Sequence, residues 1–321
     1  MPPHPTPWSS DMLPRFERAT LTGLRGVDGE VEATLVRRAG ATPSSAAVLY
    51  VHGFVDYFFQ THLADFFERQ GLRFFALDLR RHGRSLRPGH WPNYTPDIDE
   101  YLADLDAAVA ALRDELGVGW LLVNGHSTGG LAAALHAHRG ARRDGVDALL
   151  LNSPFLDMNL PRWQERWVEP LLAGAGRVWP ALRLPGLSPL YGQSVHAAHR
   201  GEWDFDTRWK PIDGFPVRAG WFRAIHRAHA EVAAGLDVRV PCLVLHAARS
   251  AWPRRWSDAA RTADIVLDVD DIRRLAPRLG PHVAVQGIDG GLHDLVLSAP
   301  APRAAAFDAM AQWLATVPPV E

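Results

Sequence analysis

The residues Gly125-His126-Ser127-Thr128-Gly129, followed by Gly130, set one serine hydroxyl among small neighbours. They fall between Trp120-Leu121-Leu122-Val123, which reads as a strand, and Leu131-Ala132-Ala133-Ala134-Leu135, which reads as the opening of a helix. A Gly-x-Ser-x-Gly in that context predicts a nucleophile elbow, a turn sharp enough to strain the serine backbone and expel its hydroxyl from the sheet edge. The small flanking residues avoid the clash that such a turn creates. The competing reading is a glycine-rich strand–helix turn with an incidental serine.

A serine hydroxyl needs a base. In this motif class the chain order is nucleophile, acid, histidine. His293 lies in Gly290-Gly291-Leu292-His293-Asp294, after the run Val283-Ala284-Val285, and is the candidate base. The acid should follow the preceding strand, Pro241 to Leu245. Asp258, Asp264, Asp268, Asp270 and Asp271 all lie in that stretch. Asp264 is favoured because it precedes the short apolar segment Ile265-Val266-Leu267, which can pin a loop to the core; Asp268 and Asp258 remain open. An oxyanion hole needs two aimed N–H groups. Thr128, directly after the serine, would supply one. Phe54, in His52-Gly53-Phe54 after the run ending at Val51, would supply the other.

These residues require a sheet whose strand ends meet along one edge. The run 46–51 is short and continuously apolar, as for a strand covered on both faces. Further strands are predicted at 74–79, 120–123, 148–152, 240–245 and 282–285, and an edge strand at 30–38. Helices are predicted at about 58–70, 97–116 and 301–315. The alternation indicates an α/β fold with a mainly parallel central sheet and helices on both faces. It breaks between about 155 and 235, where prolines are frequent and six of the twelve tryptophans fall. The chain therefore divides into a core, 1–154 plus 236–321, and a mostly helical insertion, 155–235, with no clear strand. Trp163 and Trp167, spaced i, i+4, can pack on the core or wall an apolar pocket.

Composition excludes several classes. The 34 basic and 36 acidic residues give a formal charge of −2, so nothing draws the chain to nucleic acid. Apolar residues make up 47%, too many for a disordered chain. The single cysteine, Cys242, excludes an intrachain disulfide. Lys210 is the only lysine, an unpromising candidate for lysine catalysis. The pairs among His136, His138, His196, His199, His226 and His229 lack metal-site spacing, so no metal is expected. The arginines 80, 81, 84 and 87 read as a solvated loop or structural ion pairs rather than as an anion site. No apolar run suits an integral membrane segment and the first ten residues do not resemble an export signal, so a cytoplasmic location is expected.

Taken together these residues resemble the serine hydrolases of the α/β-hydrolase superfamily. They are most similar to the monoacylglycerol lipase, lysophospholipase and serine aminopeptidase group. The resemblance rests on His52-Gly53-Phe54, on Asp78-Leu79-Arg80-Arg81-His82-Gly83-Arg84-Ser85, on Gly125 to Gly129 and on Gly291-Leu292-His293-Asp294. It implies a mainly parallel eight-stranded sheet, a lid formed by the insertion, and a triad of Ser127, His293 and an aspartate matching Asp264. It also implies a small-molecule ester substrate, an apolar acyl group and no cofactor. Two departures stand out besides Arg81 in place of a glycine. Monoacylglycerol lipases commonly continue the His-Gly motif with Gly-Glu-His, where this chain has Phe54-Val55-Asp56-Tyr57, so glycerol recognition is not implied. The stretch from Leu245 to Asp264 is also longer than the group's acid loop. Amide cleavage, acyl transfer and a catalytically silent binding role are alternatives on the same framework.

Overall fold

In the computed structural model, residues 3–27, 29–40, 44–159 and 162–317 are described, the side chains of 162–167 excepted. The Trp163 and Trp167 pair therefore lies outside the described side chains.

Among the described residues, eight strands longer than two residues form one sheet: β1 (Phe16–Gly26), β2 (Gly29–Arg38), β3 (Ala46–Val51), β4 (Arg73–Asp78), β5 (Trp120–His126), β6 (Ala148–Asn152), β7 (Cys242–Ala247) and β8 (Val283–Ile288). Their order is β1-β2-β4-β3-β5-β6-β7-β8, antiparallel from β1 to β4 and parallel from β4 to β8. The two-residue strands His4–Pro5 and Ser9–Ser10 flank β1.

Parallel strands need helical crossovers, and helices on both faces explain the continuous apolar runs. All six residues of β3 are buried. Ala47, Leu49 and Val51 join the core on one face, whereas Ala46, Val48 and Tyr50 join the core on the other. The first core is closed by α2 (Asp99–Ala110, continued by a π-turn over Ala111–Glu115), α3 (Thr128–Arg139) and later helices. The second is closed by α1 (Thr61–Arg69) and a C-terminal helix, Pro300–Leu314.

Three expectations are corrected. Residues 30–38 do not form an edge: β2 lies between β1 and β4. β1 itself escaped the sequence reading because its register shifts between Leu21 and Leu24, which breaks the period-2 signal. β8 is the true edge, and its residues Ala284 to Gly287 are exposed.

The chain from β6 to β7 carries α4 (Arg162–Val178), α5 (Pro189–Val195) and α6 (Ala219–Ala234), with a two-residue ladder pairing Arg183–Leu184 and Val217–Arg218. α6 sends Trp221, Phe222, Ile225, Ala228 and Val232 into the same core as α2 and α3. No described helix is long and apolar enough to cross a membrane.

The arginines after β4 are structural. Arg80 is fully buried and donates to Asp104 Oδ1 from Nε and Nη2 at 2.9 and 2.6 Å. Arg84 donates from Nη1 to Asp78 Oδ2 at 2.9 Å and from Nε to Asp11 Oδ2 at 2.7 Å. Arg81 takes φ 61° and donates to Glu100 Oε2 at 3.0 Å. Removing one partner of a buried pair leaves an uncompensated charge, so Asp104→Ala is expected to cost about 3–5 kcal/mol. Urea unfolding at neutral pH measures it.

Candidate active site

Ser127 joins β5 to α3 with φ 52° and ψ −118°. For a serine this backbone costs about 1–3 kcal/mol, so its surroundings must over-determine it. They do: its N–H donates to the Asn152 carbonyl at 3.1 Å, and its own carbonyl accepts from Leu131 and Phe155 at 3.1 and 3.0 Å. The motif glycines are explained by contact. A Cβ on Gly125 would lie 2.6 Å from the Gly129 carbonyl, and one on Gly129 would overlap the carbonyls of Val51 and His52.

His293 follows β8 in a turn where Gly290 has φ 69°. Its Nε2 lies 3.0 Å from Ser127 Oγ and its Nδ1 2.8 Å from Asp264 Oδ2. Asp264 is wholly buried and His293 is 3% exposed. The second carboxylate oxygen, Asp264 Oδ1, accepts from the Val266 and Leu267 amides, both at 2.8 Å, which leaves Oδ2 aimed at the imidazole. Asp268 instead caps α8 (Val269–Leu275), accepting from the Asp270 amide at 3.0 Å. Asp258 is exposed at the start of α7 (Ala259–Thr262). The long stretch after β7 delivers Asp264 because it leaves and returns: Ser250 bridges to Asp264, the Ala251 amide donates to the Asp264 carbonyl at 2.9 Å, and the Asp264 amide donates to Arg249 at 3.0 Å.

Ser127 and His293 line a cavity of about 400 Å³. Phe155, Met158, Val217, Trp221 and Phe222 give it an apolar side. Phe54 and Thr128 also line it. Thr128 is the first residue of α3, so its amide has no carbonyl one helical turn behind it. Gly53 brings the neighbouring loop close: a Cβ there would sit 3.0 Å from Ser127 Cβ. The arrangement can activate a hydroxyl and stabilise charge on a carbonyl oxygen held against it.

Residues 42–300 match the family described as serine aminopeptidase, S33. The chain belongs to the serine aminopeptidase S33 family. It is thus a hydrolase of the α/β-hydrolase superfamily. The S33-family fold is similar to that of a monoacylglycerol lipase from Paleococcus ferrophilus, at 20% identity and TM-score 0.65 over 94% of this chain and 99% of that one. It is similar to a soluble variant of the Saccharomyces cerevisiae monoglyceride lipase, solved with a substrate analog, at 15% identity and TM-score 0.66 over 98% and 97%. It is also similar to Est1E from Butyrivibrio proteoclasticus, at 15% identity and TM-score 0.56 over 92% and 98%. At these identities the likeness speaks for the fold. No curated protein sequence is similar enough to this S33-family chain to count as a match.

Sequence reasoning missed a buried polar cluster beside the relay. Ligand atoms of Asp56, His126 and Asp294 lie within 4.8 Å of one another. Lys210 Nζ donates to Asp56 Oδ1 at 2.6 Å and brings a positive charge to this group. Burial pushes the Asp294 carboxyl up, but His126, Lys210 and a 2.7 Å bond from Asn152 Nδ2 outweigh it and hold it below its usual range. Burial pushes His126 down. The partners come from four distant stretches, and single charges carry no pairing signal; the one lead was that Lys210 has no other lysine beside it in the chain.

Three of the histidines weighed as metal ligands have partners within the fold. His136 Nε2 lies 2.9 Å from Asp106, His226 Nδ1 2.6 Å from Glu169, and His229 Nε2 2.9 Å from the Phe155 carbonyl. Burial pushes the Cys242 thiol up to about 12, which suits inert packing. Among the tryptophans, Trp221 lines the cavity, Trp209 packs edge-on to Tyr57, and Trp179 is exposed.

Proposed function

We propose that this S33-family hydrolase cleaves carboxylic esters through an acyl-enzyme on Ser127. The observation that carries the reading is the relay from Ser127 Oγ through His293 to Asp264, with spacings of 3.0 and 2.8 Å, at the wall of an apolar cavity. Ser127 O–H donates to His293 Nε2, which takes the proton as Oγ attacks the carbonyl carbon. Asp264 accepts a hydrogen bond from the Nδ1–H, holds that tautomer and stabilises the imidazolium. The Phe54 and Thr128 amides receive the oxyanion. His293 then protonates the leaving alcohol, and water activated by the same ring releases the acid. Side chains, the two backbone amides and water carry these steps.

Residues 155–235 act in this reading as a lid, with α6 as the base that attaches it. Phe155, Val217, Trp221 and Phe222 from this stretch wall the acyl side of the cavity. Each methylene buried there contributes about 0.8 kcal/mol, so kcat/KM is expected to rise about three- to fourfold per carbon from acetate until the cavity fills. A chain-length series of p-nitrophenyl esters measures this; a flat series refutes the apolar acyl site. Labelling of Ser127 by a fluorophosphonate tests the nucleophile. Faster turnover of aminoacyl p-nitroanilides than of any ester would replace ester cleavage with amide cleavage.

A further inference from the structure

Val55 has φ 51°. For a β-branched residue this left-handed conformation is a genuine outlier that something must hold in place. It directly follows Phe54. The loop that contains both is fastened to the core at its two ends. The Leu79 amide donates to His52 Nε2 at 3.0 Å, and the Phe58 amide donates to Asp78 Oδ1 at 2.9 Å.

Between those fastenings, two consecutive residues are gripped from the segment joining α5 and α6. Lys210 Nζ donates to Asp56 Oδ1 at 2.6 Å, and the Asp206 amide donates to Tyr57 Oη at 2.7 Å. Lys210 is 6% exposed and Asp56 is 1% exposed. The rings of Phe59, Phe205 and Tyr191 stand 5.5, 5.6 and 5.9 Å from the ammonium. Water is largely excluded there, so the ion pair is strong while intact and costly to separate.

We propose that Lys210 is a positioning residue: it clamps the strained Phe54–Tyr57 loop so that the Phe54 amide stays aimed at the substrate oxyanion. The inference rests on the reading of Ser127 as nucleophile and Phe54 as donor. Without the clamp, Val55 is free to return to negative φ. The chain direction changes there, and the compensating rotations fall on Phe54. The Asp206 amide and the Trp209 ring still hold Tyr57, but they act beyond the strained residue. Lys210 lines the cavity, but its ammonium is bonded to Asp56 and to neither Ser127 nor His293, so its effect is expected on kcat.

The test measures kcat on one p-nitrophenyl ester, per site titrated with a fluorophosphonate. Lys210→Met is expected to lower kcat about 10- to 100-fold with KM changed less than about threefold, as for a misaimed donor. Adding Val55→Gly is expected to restore kcat at least about fivefold, because glycine takes this φ without a clamp. Val55→Gly alone supplies the reference. The pair Asp56→Asn with Lys210→Met removes both charges of the ion pair together, so neither is left behind alone, and carries the same expectation, rescue included. A kcat within about twofold of wild type in either clamp variant, or a loss that Val55→Gly does not restore, overturns the inference. A merely structural lysine would change the number of titrated sites and not the kcat of each. Retained activity in Ser127→Ala would instead overturn the reading of the nucleophile, so the two failures are separable.

Discussion

Ser127→Ala is expected to lower kcat on p-nitrophenyl esters by at least ~10³-fold, leaving a folded protein. The substitution removes the attacking oxygen and nothing else from the relay. His293 keeps its bond to Asp264, and the amides at 54 and 128 are untouched. What remains should be the weak catalysis that binding and oxyanion stabilisation give to an attacking water. The folded state should not suffer, since alanine at φ 52° faces the same strain as serine. Steady-state kinetics beside a thermal melt and fluorophosphonate labelling decide the matter. A variant that keeps most of its activity would end the acyl-enzyme mechanism, whatever the spacing of the three side chains.

Asp264→Asn should follow with a loss of about 10³- to 10⁴-fold in kcat. The amide is nearly isosteric, so the geometry survives while the electrostatics invert. With Oδ1 accepting from Val266 and Leu267, the position facing His293 Nδ1 becomes an NH₂ group. That group donates, so Nδ1 must accept, and the ring proton moves to Nε2, where it faces Ser127 Oγ and cannot take a proton from it. Asp268→Asn is the matched control. Asparagine caps a helix as well as aspartate does, so stability should change by less than about 0.5 kcal/mol and kcat should stay near wild type. If instead Asp268→Asn were the damaging substitution and Asp264→Asn mild, the acid would have to be reassigned.

Much of this architecture is legible in the sequence because doubly covered strands are continuously apolar. The segments 46–51 and 148–152 coincide with β3 and β6. The Gly-x-Ser-x-Gly stretch and the Gly-rich turn before His293 carry their own backbone requirements, so both residues could be named from local context. The placement of Asp264 beside His293 is less legible, because no local signal shows that the chain turns back to pair with Ser250. β1 was hidden by its register shift. The exposure of β8 was hidden by Val283-Ala284-Val285, which looks like a covered strand. Asp56 and Lys210 are 154 residues apart, and their pairing exists only once the segment between α5 and α6 lies on the loop after β3.

The return of the chain to Ser250 has a wider consequence. It uncouples where Asp264 sits from how much polypeptide precedes it. The excursion spanning 251–263 hangs from two backbone hydrogen bonds at its neck, and the carboxylate lies just past that neck. Its exposed positions, Trp252 and Asp258 among them, are therefore places where evolution or an engineer can reshape the outer rim without disturbing the contacts of Ser127, His293 and Asp264 beneath, whereas the wholly buried Ala260 and Ala263 stay fixed.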